Sequence, residues 1–232
     1  MSTVKFAKLI VRKIRKTWRS ILRYPIKAKC AKSTGDKSSV TVFCSNCLGG
    51  IIYNTLGMRF DSPTINMFIQ PYDFIRFLRE YPAYMEAERF ELQEMGKYPV
   101  VRCYKKNSEE YITLFCVHYK CAEDVAEKWR ERSKRVTEDI RVIMAQRDGC
   151  TDEDLMEFDK LPFKKVCFTC KPYPQYDWAV CVKSNKQSPD SGEVIDLTQY
   201  ANWHTGKRHI DNFDYISFMK DGKGKIDKEL LI

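Results

Sequence analysis

Apolar positions along this chain follow two periods, and the change from one to the other marks where helix gives way to strand. Near the start, Val4, Ala7, Val11, Ile14, Trp18 and Ile21 alternate spacings of three and four, which places them on one helical face. Short apolar runs follow at 40–44 (VTVFC), 64–69 (TINMFI), 99–104 (PVVRCY), 111–118 (YITLFCVH), 139–146 (DIRVIMAQ) and 164–169 (KKVCFT). They are strand-length and rich in β-branched or aromatic residues. Between them the helical period returns. Residues 73–85 carry Phe74, Phe77, Leu78 and Tyr81, and residues 122–136 carry Val125, Trp129 and Val136. Thr151 is placed to cap a further helix, with Asp152, Glu153 and Asp154 suited to its positive dipole end, so that acidic cluster needs no metal to explain it. The segment from His209 reads as an amphipathic helix with Phe213, Ile216 and Phe218 inward.

This alternation predicts an α/β domain, Rossmann-like, with a largely parallel sheet flanked by helices and an inserted hairpin over 99–118. The expected organisation is a basic amphipathic helix over 1–26, a small polar linker over 27–38, a single α/β domain over 39–220 and a tail over 221–232.

Charge sharpens the first of these. The net charge of +9 arises from residues 1–32, which hold eleven Lys and Arg and no acid; the remainder carries 29 basic against 31 acidic residues. Lys5, Lys8, Arg12, Lys16, Arg19 and Arg23 flank or oppose the apolar face, as on a helix lying on anionic lipid. Residues 4–23 are therefore expected to bind an anionic membrane surface, with packing onto the body as the alternative. The longest apolar run there, Leu9-Ile10-Val11, is too short to span a membrane or to form a secretory signal. No second basic patch supports nucleic acid as a partner. Ten cysteines without a secretion signal point to reduced thiols and a cytoplasmic location at the inner face of the membrane. Cys44/Cys47 straddles a strand end without a zinc knuckle, and Cys167/Cys170 lies on a predicted strand whose residues three apart face opposite ways. No metal and no cofactor is expected.

In open α/β sheets ligands gather beyond the carboxyl ends of strands. Polar residues collect at the predicted ends: Ser45, Asn46 and Cys47, then Gln70 to Asp73, His118 and Tyr119, Arg147 and Asp148, and Thr169. After the first strand, Gly49-Gly50 can turn the chain closely and offer backbone N–H groups to an anion, with Tyr53 following on the same helix. The plainer reading is a tight strand-to-helix turn with Asn46 bonding its own backbone. His118 or Asp148 is the candidate general base, with Ser45, Asn46, Cys47, Gly49, Gly50, Tyr53, Asp73, Tyr119, Arg147 and Thr169 binding substrate. A nucleophilic Ser45 or Cys47 is the third reading, although no G-x-S-x-G elbow surrounds the serine.

The ordered motifs CSNCLGGIIYNTLGMRFDSPTINMFIQPYDFIRFL, FCVHY, AEKWRERSKRV, RDGCTDEDLMEFDKLPFKKVCFT and HIDNFDYISFM resemble the bacterial family of domains of unknown function numbered nineteen-nineteen. Its members are often labelled exopolysaccharide-biosynthesis proteins. Their first motif reads more like S-N-N-C-W-G-G, so this chain has one asparagine fewer and Leu48 where an aromatic ring would stand. The resemblance implies capsule, exopolysaccharide or surface-glycan synthesis and supplies no catalytic residue. A peripheral membrane transferase, glycosyl or other, acting on a nucleotide-sugar or lipid-linked glycan is the expected function. The alternatives are a noncatalytic glycan-binding or scaffold protein, and an esterase or acyltransferase.

Overall fold

Val40–Cys44 (β1), Asp139–Ala145 (β5) and Lys164–Thr169 (β6) are nearly continuous apolar runs, as strands covered on both faces must be. The structure, a computed structural model, describes residues 3–33, 40–184, 192–201, 204–222 and 229–232. It begins with α1 (Thr3–Ser33), followed by β1 and α2 (Leu48–Leu56), α3 (Pro71–Arg79) and α4 (Tyr81–Met85). Strands β2 (Phe90–Met95), β3 (Pro99–Tyr104) and β4 (Tyr111–Phe115) come next, then α5 (Ala122–Ser133), β5, α6 (Asp152–Asp159), β6 and β7 (Ala179–Lys183). A 3₁₀ turn at His209–Asn212, α7 (Tyr215–Asp221) and β8 (Glu229–Leu231) complete the order.

Five strands form one sheet in the order β1-β5-β6-β7-β8, every pairing parallel. Alternate residues of each strand feed two cores. Phe43, Val142, Met144 and Cys167 pack with α3 to α6, while Val42, Ile143, Val166, Phe168 and Val180 pack with α2, α7 and Cys30 of α1. The expected mixed fold with a mostly parallel, helix-flanked sheet is therefore present. Strand order follows chain order without reversal, so the crevice that a reversal creates in doubly wound sheets has no counterpart among the described strands.

The expected hairpin is part of a separate antiparallel sheet, β2-β3-β4, whose first strand the sequence pattern concealed. β2 reads FELQEM, with four of its six side chains exposed, and its apolar alternation is short, broken after Leu92 where the pairing register shifts. Residues 64–69 form no strand. They run as buried irregular chain whose backbone is satisfied piecemeal: Thr64 Oγ1 accepts from Cys44 N at 3.1 Å, Ile69 N donates to Ser45 O at 2.8 Å, and Phe68 bridges Phe115. The tail expected from 221 onward also contains structure, because Glu229–Leu231 joins the sheet beside β7 and buries Leu230.

Nor are residues 27–33 linker, since α1 continues through Pro25 to Ser33. Arg19, Arg23, Ile26 and Cys30 recur along one face and meet the body. Arg23, expected to face lipid, is 5% exposed. Its guanidinium bonds both oxygens of Asp211 at 2.5 and 2.9 Å, Thr55 Oγ1 at 2.8 Å and Gly206 O at 3.1 Å. Burial disfavours the charge, yet Asp211 outweighs it and raises the Arg23 pKa. Gly206, at φ +65°, lets this loop approach the helix; a Cβ there would stand 3.0 Å from Arg23 N. Val11, Ile14, Trp18 and Ile21 point elsewhere and stay 47–62% exposed.

A second buried arginine holds α7. Arg141, on β5, donates to Phe218 O at 3.0 Å and Met219 O at 3.1 Å and pairs with Asp139. It thus places a cation on the carbonyl end of that helix. Removing one partner of a buried pair strands the other charge, at a cost of about 3–5 kcal/mol. Asp211→Ala should lose that much stability in urea denaturation, and adding Arg23→Met should restore a large part of it. A double variant no more stable than Asp211→Ala would contradict this role for the pair.

Candidate functional site

β1 ends at Cys44, and the backbone turns at once into α2. Asn46 Oδ1 accepts from Leu48 N at 3.0 Å and lies 3.6 Å from Cys44 Sγ, so the asparagine closes its own turn. Gly49 is required by proximity: a Cβ would lie 2.8 Å from Cys44 Cβ, because α2 starts directly over β1. A Cβ on Gly50 would meet Asn66 Oδ1 at 3.1 Å. Both glycines are thus accounted for by close packing. Ser45 is buried and ties the strand end to Ile143 and Ile69 through its backbone.

At the end of β5, Gln146 organises the neighbouring strand ends. Its Oε1 accepts from Cys170 N at 3.0 Å, its Nε2 donates to Tyr173 Oη at 3.0 Å, and its backbone O accepts from Val194 N at 2.8 Å. Asp148 follows in the left-handed region at φ +58°, with its N–H given to Glu193 Oε1 at 2.9 Å. Burial raises the Asp148 carboxyl pKa; Arg147 opposes the shift, and Glu193 and Asp196 add to it. Asp196 also acts on Cys47, whose thiol is pushed up to about 11, first by burial and then by that carboxylate. The field of Asp196 therefore reaches the ends of both β1 and β5. Asn46, Cys47, Arg147, Asp148, Glu193 and Asp196 make one polar rim. Beyond it a groove of about 870 Å³ opens between the ends of β6, β7 and β8, lined by Cys170, Lys171, Lys183 and Asn212 among others.

Other sequence candidates are engaged in the fold. Tyr53 is fully buried, its Oη accepting from Val42 N at 2.9 Å. Thr169 is fully buried and donates to Lys171 O at 2.8 Å. Asp73 accepts from Thr113 N at 2.8 Å, fastening α3 to β4. Tyr119 donates to Ile65 O at 2.9 Å and accepts from Arg132 at 2.8 Å. His118 is exposed in the turn after β4 and makes no hydrogen bond to Asn46 or Asp148. Asn46, Cys47, Arg147 and Asp148 thus follow the ends of the paired strands β1 and β5, and among the described residues no hydrogen bond links His118 to them.

The acidic triplet Asp152-Glu153-Asp154 starts α6 with Thr151 as its cap, as expected: Asp154 forms a capping box with Thr151, while Asp152 accepts from Tyr173 and pairs with Lys171 at 3.2 Å. One feature escaped the sequence reading. Loop 192–198 lies too far along the chain, without apolar periodicity, to be linked to the rim by pattern. Among the described residues no group of three or more His, Cys, Asp or Glu side chains could hold a metal ion.

A thiol raised to about 11 is protonated at neutral pH, which weighs against Cys47 as nucleophile. The raised Asp148 pKa carries a stability consequence. The folded state holds that proton more tightly than the unfolded chain does, so ionising Asp148 costs stability as pH rises through its folded pKa. Asp148→Asn, also tolerant of positive φ, should stabilise the protein at pH 7, with the gain vanishing below about pH 4, the ordinary Asp value. Thermal melts against pH test this, and a gain that persisted in acid would refute it.

Residues 18–220 match the family model described as Domain of unknown function (DUF1919). An "Uncharacterized protein" of Haemophilus influenzae (strain ATCC 51907 / DSM 11121 / KW20 / Rd) is 33% identical over 181 residues, covering 77% of this chain and 83% of that one. The matched region includes the docked part of α1 together with the whole rim, and the chain belongs to the DUF1919 family.

Proposed function

We propose that this protein is a peripheral membrane transferase that moves a glycosyl or related group onto a surface-glycan precursor at the inner face of the membrane. The observation that carries the reading is the rim, where a carboxylate with raised pKa stands next to an arginine at the carboxyl edge of a parallel sheet. In this scheme the acceptor hydroxyl oxygen attacks the anomeric carbon of a nucleotide-sugar or lipid-linked donor, and the bond from that carbon to the phosphate oxygen breaks. Asp148 takes the hydroxyl proton, and Arg147 offsets the charge left on the phosphate. The Asn46–Cys47 turn and the groove between β6, β7 and β8 border the reacting groups. No helix of the described residues is long and apolar enough to cross a membrane. The uncovered stripe of Val11, Ile14, Trp18 and Ile21 supports surface attachment instead.

A noncatalytic glycan-binding or scaffold role is the second reading. It is favoured by the engagement of Tyr53, Thr169 and Asp73 within the fold. Ester or acyl transfer has less support, because Ser45 is buried and the Cys47 thiol is held protonated.

The test is transfer of labelled sugar from nucleotide-sugars into lipid extract by the full chain with vesicles containing phosphatidylglycerol. Asp148→Asn should cut turnover by about a hundredfold or more while melting cooperatively at or above the parent's temperature, in line with loss of a general base. Ile14→Asp with Trp18→Asp should release the protein from the vesicles with less than about 0.5 kcal/mol change in stability. Turnover unaffected by Asp148→Asn would sink the catalytic reading, and vesicle binding unaffected by the double substitution would sink the membrane one.

A further inference from the structure

The face by which α1 docks carries more positive charge than its partners neutralise. Arg19, Arg23 and Lys27 occupy successive turns of that face, and Arg208 meets them from the loop below. The guanidinium groups of Arg19 and Arg208 share one ring, standing 4.4 and 4.2 Å from the centroid of Tyr200. Among the described residues Arg23 alone of the four makes a salt bridge, to Asp211. Arg208 gives one terminal nitrogen to Thr198 O and the other to Tyr200 Oη at 3.2 Å, while its buried Nε has no partner among the described residues. Lys27 is half-buried, and its pKa is lowered by burial and then by the charges of Arg23 and Arg208. The Arg208 pKa is lowered by burial and by the charge of Arg23, while Tyr200, Asp211 and Asp196 oppose the shift.

Gathering like charges in a partly buried place is unfavourable unless an anion joins them. Guanidinium groups in particular offer paired donors that suit phosphate oxygens. This cluster also borders the rim. Asp196, which acts on Cys47 and Asp148, acts on Arg208 too, and Thr198 binds both of its neighbours: its own N–H and hydroxyl go to Asp196 at 2.9 and 2.6 Å, and its carbonyl accepts from Arg208.

We propose that Arg19, Lys27 and Arg208 form a binding site for a phosphate group, with the Lys27 ammonium as a donor and the two guanidinium groups supplying charge. Only the identity of what the phosphate is attached to rests on the transferase reading. On that reading the occupant is the diphosphate of the glycosyl donor, held beside α1 while its sugar end reaches the Asp148 rim. The glycine turn after β1, the sequence's first choice for an anion, is then not the phosphate seat. A phospholipid headgroup offers the same chemistry and is the other source of the phosphate.

Calorimetric titration of the full chain with inorganic pyrophosphate at low salt tests the site. The expected result is saturable binding at one site per chain, weakened about tenfold or more by Lys27→Gln and by Arg208→Gln, the loss anticipated for one charge-assisted hydrogen bond. Lys220→Gln, an exposed cation on α7, should leave it unchanged. Lys27→Gln is the safer variant because no hydrogen bond of the fold depends on that ammonium among the described residues. A parallel arm measures co-sedimentation with phosphatidylcholine vesicles containing phosphatidylglycerol. Loss of vesicle binding in Lys27→Gln, without any pyrophosphate heat in the parent, would support the site with a headgroup phosphate as occupant. Equal binding of both probes by the parent, Lys27→Gln and Arg208→Gln would overturn it. Asp148→Asn should retain pyrophosphate binding, and absence of turnover in the parent chain with its pyrophosphate binding intact would defeat the transferase reading alone.

Discussion

The clasp between Arg23 and Asp211 joins what the sequence separates by most of its length. It fixes α1 to the 3₁₀ turn at 209–212 and, through Thr55 and Gly206, to α2 and the loop before that turn. Because Asp211 also accepts from Arg208 N at 2.7 Å and from Tyr215 Oη at 3.2 Å, one carboxylate orders the docking helix, the cationic loop and the start of α7 together. Buried ion pairs are costly to assemble and costlier to break singly, so such a pair acts as a specific fastener more than as a source of net stability. Its consequence is orientation. The apolar stripe of α1 is left facing away from the body, at a set angle to the sheet whose rim carries Asp148.

That arrangement divides α1 into a docked face and an uncovered one. The face bearing Arg19, Arg23, Ile26 and Cys30 is spent on the protein, whereas Val11, Ile14, Trp18 and Ile21 remain uncovered. Packing on the body, the alternative the sequence left open, holds for the docked half, and the exposed stripe uses different residues.

The parallel sheet and its main helices were legible because their signals are local. Apolar runs at 40–44, 139–146 and 164–169 gave β1, β5 and β6, and Thr151 with Asp154 gave the capping box of α6. Elements that depend on distant partners were not legible. β2 is mostly exposed, β8 has three residues, and the buried run 64–69 earns its place by bonds to Ser45, Cys44 and Phe115 that no periodicity encodes. The site follows the same rule. Strand ends pointed to Asn46, Cys47, Arg147 and Asp148, but the contributions of Asp196, Tyr200 and Arg208 come from a loop with no signature of its own. Arg23 was misread because a cation on an amphipathic helix looks solvent-facing until its acid, 188 positions away, is known.

Hydrogen exchange along α1 in the intact protein tests the docking most directly. If Arg23 and Asp211 hold this helix to the body, amides from about residue 22 to 30 exchange slowly, near the rate of the central sheet, while those before residue 15 exchange fast in the absence of vesicles. Uniformly fast exchange from residue 3 to residue 33 would mean that the helix is not fastened, and the account built on its orientation would fall with it.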